Sequence, residues 1–134
     1  MIKNSFTIYN FSWTKKFVEK NIPIIENNYK KYPNKNRWDC DCHVVHDNDN
    51  KIEHIDFNFL RKQYEACVKE VVKIYNIKKY HIGDIWYNYF KKSQFQEPHI
   101  HMGNGLTAVH YLIYDPKYHS KTEFVNNIKS PEIK

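Results

Sequence analysis

Glycine is scarce in this chain, 3 in 134 residues. That excludes long flexible linkers, and the length suits one domain spanning 1–134. No apolar run reaches eighteen residues, so no transmembrane helix and no membrane partner are expected. The opening stretch MIKNSFTIYNFSW lacks a continuous apolar core and a small-residue cleavage site, so no secretory signal is expected. Arginine is nearly missing, with Arg37 and Arg61 the sole copies. The formal charge of +6 therefore rests on lysines spread along the chain. Sites that read base edges or clamp phosphates favour Arg, so nucleic acid is a disfavoured partner and a solvated lysine-rich surface the simpler reading. The cysteines are few and odd in number: Cys40, Cys42 and Cys67. Without a secretory signal they read as reduced thiols in a cytoplasmic protein.

Apolar and aromatic residues, by contrast, are plentiful. Hydrophobic residues make up 41% and aromatics 16%, with 11 tyrosines, enough for a substantial core. SWTKKFVEKN offers Ser12 as a helix N-cap, with Trp13, Phe17 and Val18 at helical spacing. Pro23 is expected to interrupt that helix, with IPIIENNYKKY restarting a short one. YPNKN, at 32–36, is turn chemistry. RWDCDCHVVH alternates as a strand does: Trp38, Cys40, Cys42 and Val44 on one face, Asp39, Asp41 and His43 on the other. From Asp56, a good N-cap, the residues Phe57, Leu60, Tyr64, Cys67, Val68, Val71, Val72 and Tyr75 recur at three and four, predicting a helix with a core-facing stripe. YHIGDIWYNYF, HIHM, LTAVHYLIY and KTEFV then read as short strands separated by turns. A helical part over about 1–79, followed by a β-rich part over about 80–126, predicts an α+β domain with helices packed on an antiparallel β-sheet.

Two clusters carry metal-ligating side chains. CDCHVVH holds Cys40, Cys42, His43 and His46, but one strand points its residues to opposite faces, so it cannot wrap a single zinc ion with all four. The competing reading makes the cysteines small core residues. His99 and His101 differ, because period-two spacing on an extended segment puts both imidazoles on one face, close enough to share a metal. The alternative is a plain pair of polar strand residues.

IWYNYFKKSQFQEPHIHMGNGLTAVHYLIYDPKYHSKTEF, together with RWDCDCHVVH upstream, resembles the 2-oxoglutarate/Fe(II)-dependent oxygenases of bacteriophage and marine bacterial genomes, which are prolyl-hydroxylase-like. The matching features are Trp86 to Tyr89 with Asn88, Pro98 to His101, the turn Gly103 to Gly105, Tyr111-Leu112, and His119 to Phe124. The resemblance implies a double-stranded β-helix, or jelly-roll, and Fe(II) and 2-oxoglutarate as cofactors. It implies His99 and His101 as catalytic metal ligands, with His101 where a carboxylate usually stands. It implies Tyr87 and Asn88 beside the co-substrate, and host cytoplasm as the location if the chain is phage-encoded. The family also carries a later distal His and an Arg. Here no Arg follows Arg61, and the histidines after His101 are His110 and His119. The chain therefore resembles a member without its C-terminal strands, a partial β-helix. An open sheet edge would then suit a second chain or a homo-oligomer. A non-catalytic jelly-roll-like module, binding through its aromatic surface or serving in a phage assembly, is the alternative. The substrate stays open.

Overall fold

The computed structural model describes residues 8–99, 101 and 105–123. Its elements run α1 (Thr14–Lys31), β1 (His43–His46), α2 (Phe57–Ile74) and β2 (Trp86–Tyr89). The α+β class expected from the sequence is present, as two helices with one two-stranded antiparallel sheet. The described residues hold that single small sheet, not the double sheet of a jelly-roll.

Pro23 does not divide α1. The helix runs 18 residues with the proline inside it. An interior proline removes one backbone bond and crowds the carbonyl four residues back, at a cost of about 3 kcal/mol. Tertiary packing offsets this: Phe17, Asn21 and Asn28 lie buried on one face, and Ile24 and Ile25 press on the core. Trp13, not Ser12, takes the N-cap position, and no side chain caps that end. The two buried asparagines escape any apolar pattern, yet both amides are hydrogen-bonded, as buried amides should be. Asn21 donates to the Phe17 carbonyl at 2.8 Å and accepts from the Asp56 backbone N–H at 3.1 Å. Asn28 donates to the Glu53 carbonyl at 2.6 Å and to the Tyr87 hydroxyl at 3.2 Å. They lash α1 to the start of α2 and to β2.

Asp56 caps α2 as expected, its carboxylate accepting the Phe59 N–H at 2.9 Å; such a cap stabilises by about 1 kcal/mol. The far end closes as a Schellman motif. Ile77 N–H bonds the Val72 carbonyl at 2.9 Å and Asn76 N–H the Lys73 carbonyl at 3.3 Å, with Asn76 in the left-handed region at φ 52°. The predicted stripe is graded along its length. Phe57 and Leu60 are buried; Tyr64, Cys67, Val68, Val71 and Val72 are half-buried; Tyr75 is exposed. Arg61 anchors the same helix, donating to the carbonyls of Ile82 and Gly83 at 2.6 and 2.9 Å and pairing with Asp47.

β1 and β2 pair in the register His43 with Tyr89, Val44 with Asn88, Val45 with Tyr87 and His46 with Trp86. Opposed residues share a face, so the sheet has two distinct sides. On the helix side Val45 and Tyr87 join Phe17, Ile55, Phe57 and Leu60 in the main core. On the outer side Val44 packs with Cys40, Cys42 and Trp86. The cysteines thus behave as small core residues; all three are free, and burial, with Cys40 alongside, pushes the Cys42 thiol up to about 12. Trp38 departs from the predicted alternation and stands 83% exposed.

The strand expected over LTAVHYLIY is not formed: residues 105–123 contain no strand. Strand propensity needs a neighbouring ladder, and this segment has none among the described residues. Its period-two pattern nevertheless survives as burial, with His110, Leu112 and Tyr114 half-buried while Val109, Tyr111 and Ile113 are exposed. Residues 121–123 of the expected KTEFV strand are also without ladder pairing. Its remainder lies outside the described residues, as do Gly103 of the turn and Phe124 of the last matching feature.

Candidate metal site

Neighbouring strand residues point to opposite faces, and this separates two residues that the resemblance places together. Tyr87 opposes Val45 on the helix side and is a core residue, 6% exposed, its hydroxyl taken by Asn28. Asn88 opposes Val44 and faces outward. There its amide donates to Gln96 Oε1 at 3.4 Å, while its Oδ1 is buried with no partner among the described residues. Asn88 therefore sits on the outer side with the histidine pair, and Tyr87 does not.

The residues that carry His99 to this side come from RWDCDC. Its two carboxylates grip the chain at 94–99. The Asp39 carbonyl accepts from Glu97 N–H at 2.7 Å, and its carboxylate accepts from Gln96 Nε2 at 3.0 Å. The Asp41 carboxylate accepts from Phe95 N–H at 2.7 Å, and its carbonyl accepts from Gln94 Nε2 at 2.8 Å. Cys40 bridges to Gln96 between them. Sequence patterning missed this clasp; the one available signal was the aspartate alternation, which put both carboxylates on one side.

His99 and His101 do meet. Their Nε2 atoms lie 3.2 Å apart, with the rings edge to face at 4.9 Å. Nδ1 of His99 lies 2.9 Å from the Glu97 carbonyl. A carbonyl can only accept, so Nδ1 carries the proton and the Nε2 lone pair points at His101. The Asp39 carboxylate lies 3.7 Å from the same Nδ1. A ligating histidine is commonly held this way, its other N–H fixed by a carbonyl or carboxylate. His101 stacks on Trp86 at 5.8 Å, and Trp86 stacks on His46 at 5.4 Å. The His99 side chain is 25% exposed, so one flank of the pair is open to solvent.

The pair fits a divalent ion as a partial site. With metal–nitrogen bonds of about 2.1 Å, a 3.2 Å nitrogen separation subtends about 100° at the metal, between the octahedral and tetrahedral angles. Asp39 approaches His99 from the Nδ1 side, so it supports a ligand and is not one. Among the described residues no group of three or more His, Cys, Asp or Glu could hold an ion. Two imidazoles are what these residues supply, short of the two-histidine, one-carboxylate set of non-haem iron sites.

The other histidines are engaged elsewhere. His110 lies 2.8 Å from the Tyr64 hydroxyl through Nδ1 and 3.1 Å from the Thr14 hydroxyl through Nε2, packed among Phe11, Trp13 and Tyr64. Both its nitrogens are committed to the fold. His119 Nδ1 accepts the Asp115 N–H at 2.8 Å within a local turn. His46 Nε2 accepts from the Arg37 guanidinium at 2.7 Å, which brings an arginine to the outer face that sequence reasoning had not placed there. A groove of about 390 Å³ is lined by Asn58, Arg61, Lys62, Glu65, Tyr80 and Ile82. It does not include the histidine pair, and the guanidinium in it is spent on the fold.

Electrostatics make the structure acid-sensitive in two steps. Burial depresses His43 and His110 below the ordinary imidazole value of 6.5. A depressed histidine favours the neutral folded form, so stability falls as pH drops below 6.5 and the unfolded chain takes the proton. Burial alone would raise Asp39, but the Gln96 hydrogen bond, a backbone hydrogen bond, His99 and Arg37 outweigh it and hold it below 3.8. Asp49 is likewise raised by burial but lowered overall, chiefly by Lys35 at 2.7 Å. These carboxylates stabilise fully above 3.8 and lose their contribution as pH falls through their lowered values. Thermal melts should therefore show Tm declining between pH 7.5 and 5, then again below pH 4. His43 is buried with neither ring nitrogen bonded among the described residues, and stacks on Tyr87 at 6.3 Å. His43→Phe should keep the stack and shrink the first decline; an undiminished decline would remove His43 from the account.

No protein-family model matches the chain, and neither a curated protein nor a solved structure was found to be similar to it.

Proposed function

We propose that the chain is a 2-oxoglutarate/Fe(II)-dependent dioxygenase-type domain whose metal is held by His99 and His101. The observation that carries this reading is the 3.2 Å approach of two Nε2 atoms, with the opposite nitrogen of His99 already fixed by the Glu97 carbonyl. When bound, Fe(II) would activate O2, one oxygen atom hydroxylating an unreactive C–H bond and the other passing to 2-oxoglutarate as it is oxidised to succinate and CO2. The chain's own part is to orient His99 through Glu97 and Asp39 and to back His101 with the Trp86 ring. Asn88 Oδ1, buried without a partner among the described residues, is on the right side to accept from a bound ligand. Two protein nitrogens leave most coordination positions to water, so metal affinity is modest and turnover slow. The test is succinate formation from 2-oxoglutarate with Fe(II) and ascorbate, for wild type and His99→Ala. Slow turnover that disappears in the variant supports the reading. Turnover unaffected by the variant places the chemistry elsewhere, and no turnover with no metal binding rejects it.

A second reading, a non-catalytic binding module for a protein or carbohydrate, draws on a separate observation. Trp38 is 83% and Phe95 55% exposed, on chain segments that the Asp41 bonds hold together. Large exposed aromatics supply contact area at low entropic cost.

A further inference from the structure

Asp39 stands apart from the other acidic residues of the outer face. It is 6% exposed, yet its carboxylate reaches out of the clasp toward a solvent-facing imidazole. One oxygen, Oδ2, takes the Gln96 amide at 3.0 Å and lies 3.7 Å from His99 Nδ1. The other, Oδ1, is buried without a partner among the described residues. Gln96 in turn receives the Asn88 amide at 3.4 Å. Hydrogen bonds thus run from Asn88 through Gln96 to Asp39, whose Oδ2 faces His99 Nδ1 at 3.7 Å, a charge contact and not a hydrogen bond. Asp41 grips the same segment through Phe95 and Gln94 and makes no recorded contact with His99. Both aspartates dock this segment, and of the two Asp39 alone also approaches His99.

We propose that Asp39 is a positioning residue for the metal pair: its carboxylate, with the Glu97 carbonyl, fixes His99 as the Nδ1–H tautomer and presents Nε2 as a ligand. This rests on the metal-site reading above. The physical reason is tautomer choice. An imidazole that protonates at Nε2 has no lone pair to offer there and must be inverted before it can ligate. A negative charge beside Nδ1 favours the proton at that nitrogen over Nε2. Removing such an outer partner commonly weakens metal binding about 10–100-fold.

The experiment uses the full chain, titrated with Co(II) and followed by its visible absorption, for wild type, Asp39→Asn and Asp41→Asn. Asp39→Asn keeps shape and a hydrogen-bonding oxygen for Gln96 but removes the charge. Asp41→Asn is the control for docking of 94–97. The expected result is binding weakened about tenfold or more by Asp39→Asn and little changed by Asp41→Asn. Nitrogen chemical shifts of the His99 ring in the metal-free protein should report the Nδ1–H form in wild type and a mixture in Asp39→Asn. Equal weakening by both variants would reduce Asp39 to a docking residue and overturn the proposal. So would wild-type affinity in Asp39→Asn. If wild type itself binds no Co(II), the metal-site reading falls and this proposal with it. If wild type binds and Asp39→Asn is unaltered, only this proposal falls.

Discussion

His99→Ala is expected to remove saturable binding of Fe(II) or Co(II), lowering affinity on the order of a hundredfold or more, beyond what loss of an outer partner costs. The reasoning is geometric. The site offers two nitrogens 3.2 Å apart, and chelation depends on both being delivered to one point. One imidazole alone is no better than any other exposed histidine, such as His54, His81 or His119. His101→Ala should therefore have an effect of the same size. His119→Ala should have none, because that ring closes a turn with Asp115. Isothermal titration of the three variants checks the pattern. Binding that persists in both His99→Ala and His101→Ala would mean that the ion sits on other histidines. Melting temperatures should stay near wild type throughout, since His99 and His101 make their recorded contacts at the surface and neither belongs to the apolar core.

Val45→Asp is expected to abolish cooperative folding. Val45 is 0% exposed, at the contact of β1 with Tyr87 and the first turns of α2. A carboxylate there would have neither water nor a cation. An unpaired buried charge costs several kcal/mol, comparable to the whole stability of a domain, about 5–15 kcal/mol. Circular dichroism against temperature should show no sigmoidal transition; a normal melt would mean that the core does not close over this position. Val71→Asp makes the informative contrast. By periodicity alone it belongs to the same apolar set, but it is only half-buried, so a milder loss is expected.

That contrast shows how far local pattern reaches. The period of α2 and its Asp56 cap were legible because they depend on neighbours three and four residues away. The alternation over Cys40, Cys42 and Val44 was legible because it depends on neighbours two residues away. How deep each position lies was not, because depth depends on which distant segment covers it. Pro23 misled because its local penalty is real, and the packing that overrides it comes from partners far along the chain. The strand expected at LTAVHYLIY shows the converse: the propensity is present and the ladder is not. At the site, the rings of His99 and His101 meet, as period-two spacing allows, although neither residue lies in the strand expected there. That spacing was blind to Asp39, whose Gln96 contact spans 57 residues. The resemblance placed Tyr87 and Asn88 together beside a co-substrate, but strand geometry turns them to opposite faces.

His110 has a consequence for how the chain opens. Among the described residues, the stretch 105–123 is tied to the helices chiefly by that one imidazole, between the Thr14 and Tyr64 hydroxyls, and by Leu112 against the core. Its other recorded bonds are internal, such as Tyr111 with Thr122 and Asp115 with His119. A segment held through so few contacts is expected to separate as a cooperative unit while the helices stay folded. Its backbone amides should exchange with solvent through this partial detachment, well ahead of those in α1 and α2. His110 thereby sets the free energy of a sub-global opening instead of that of the whole fold.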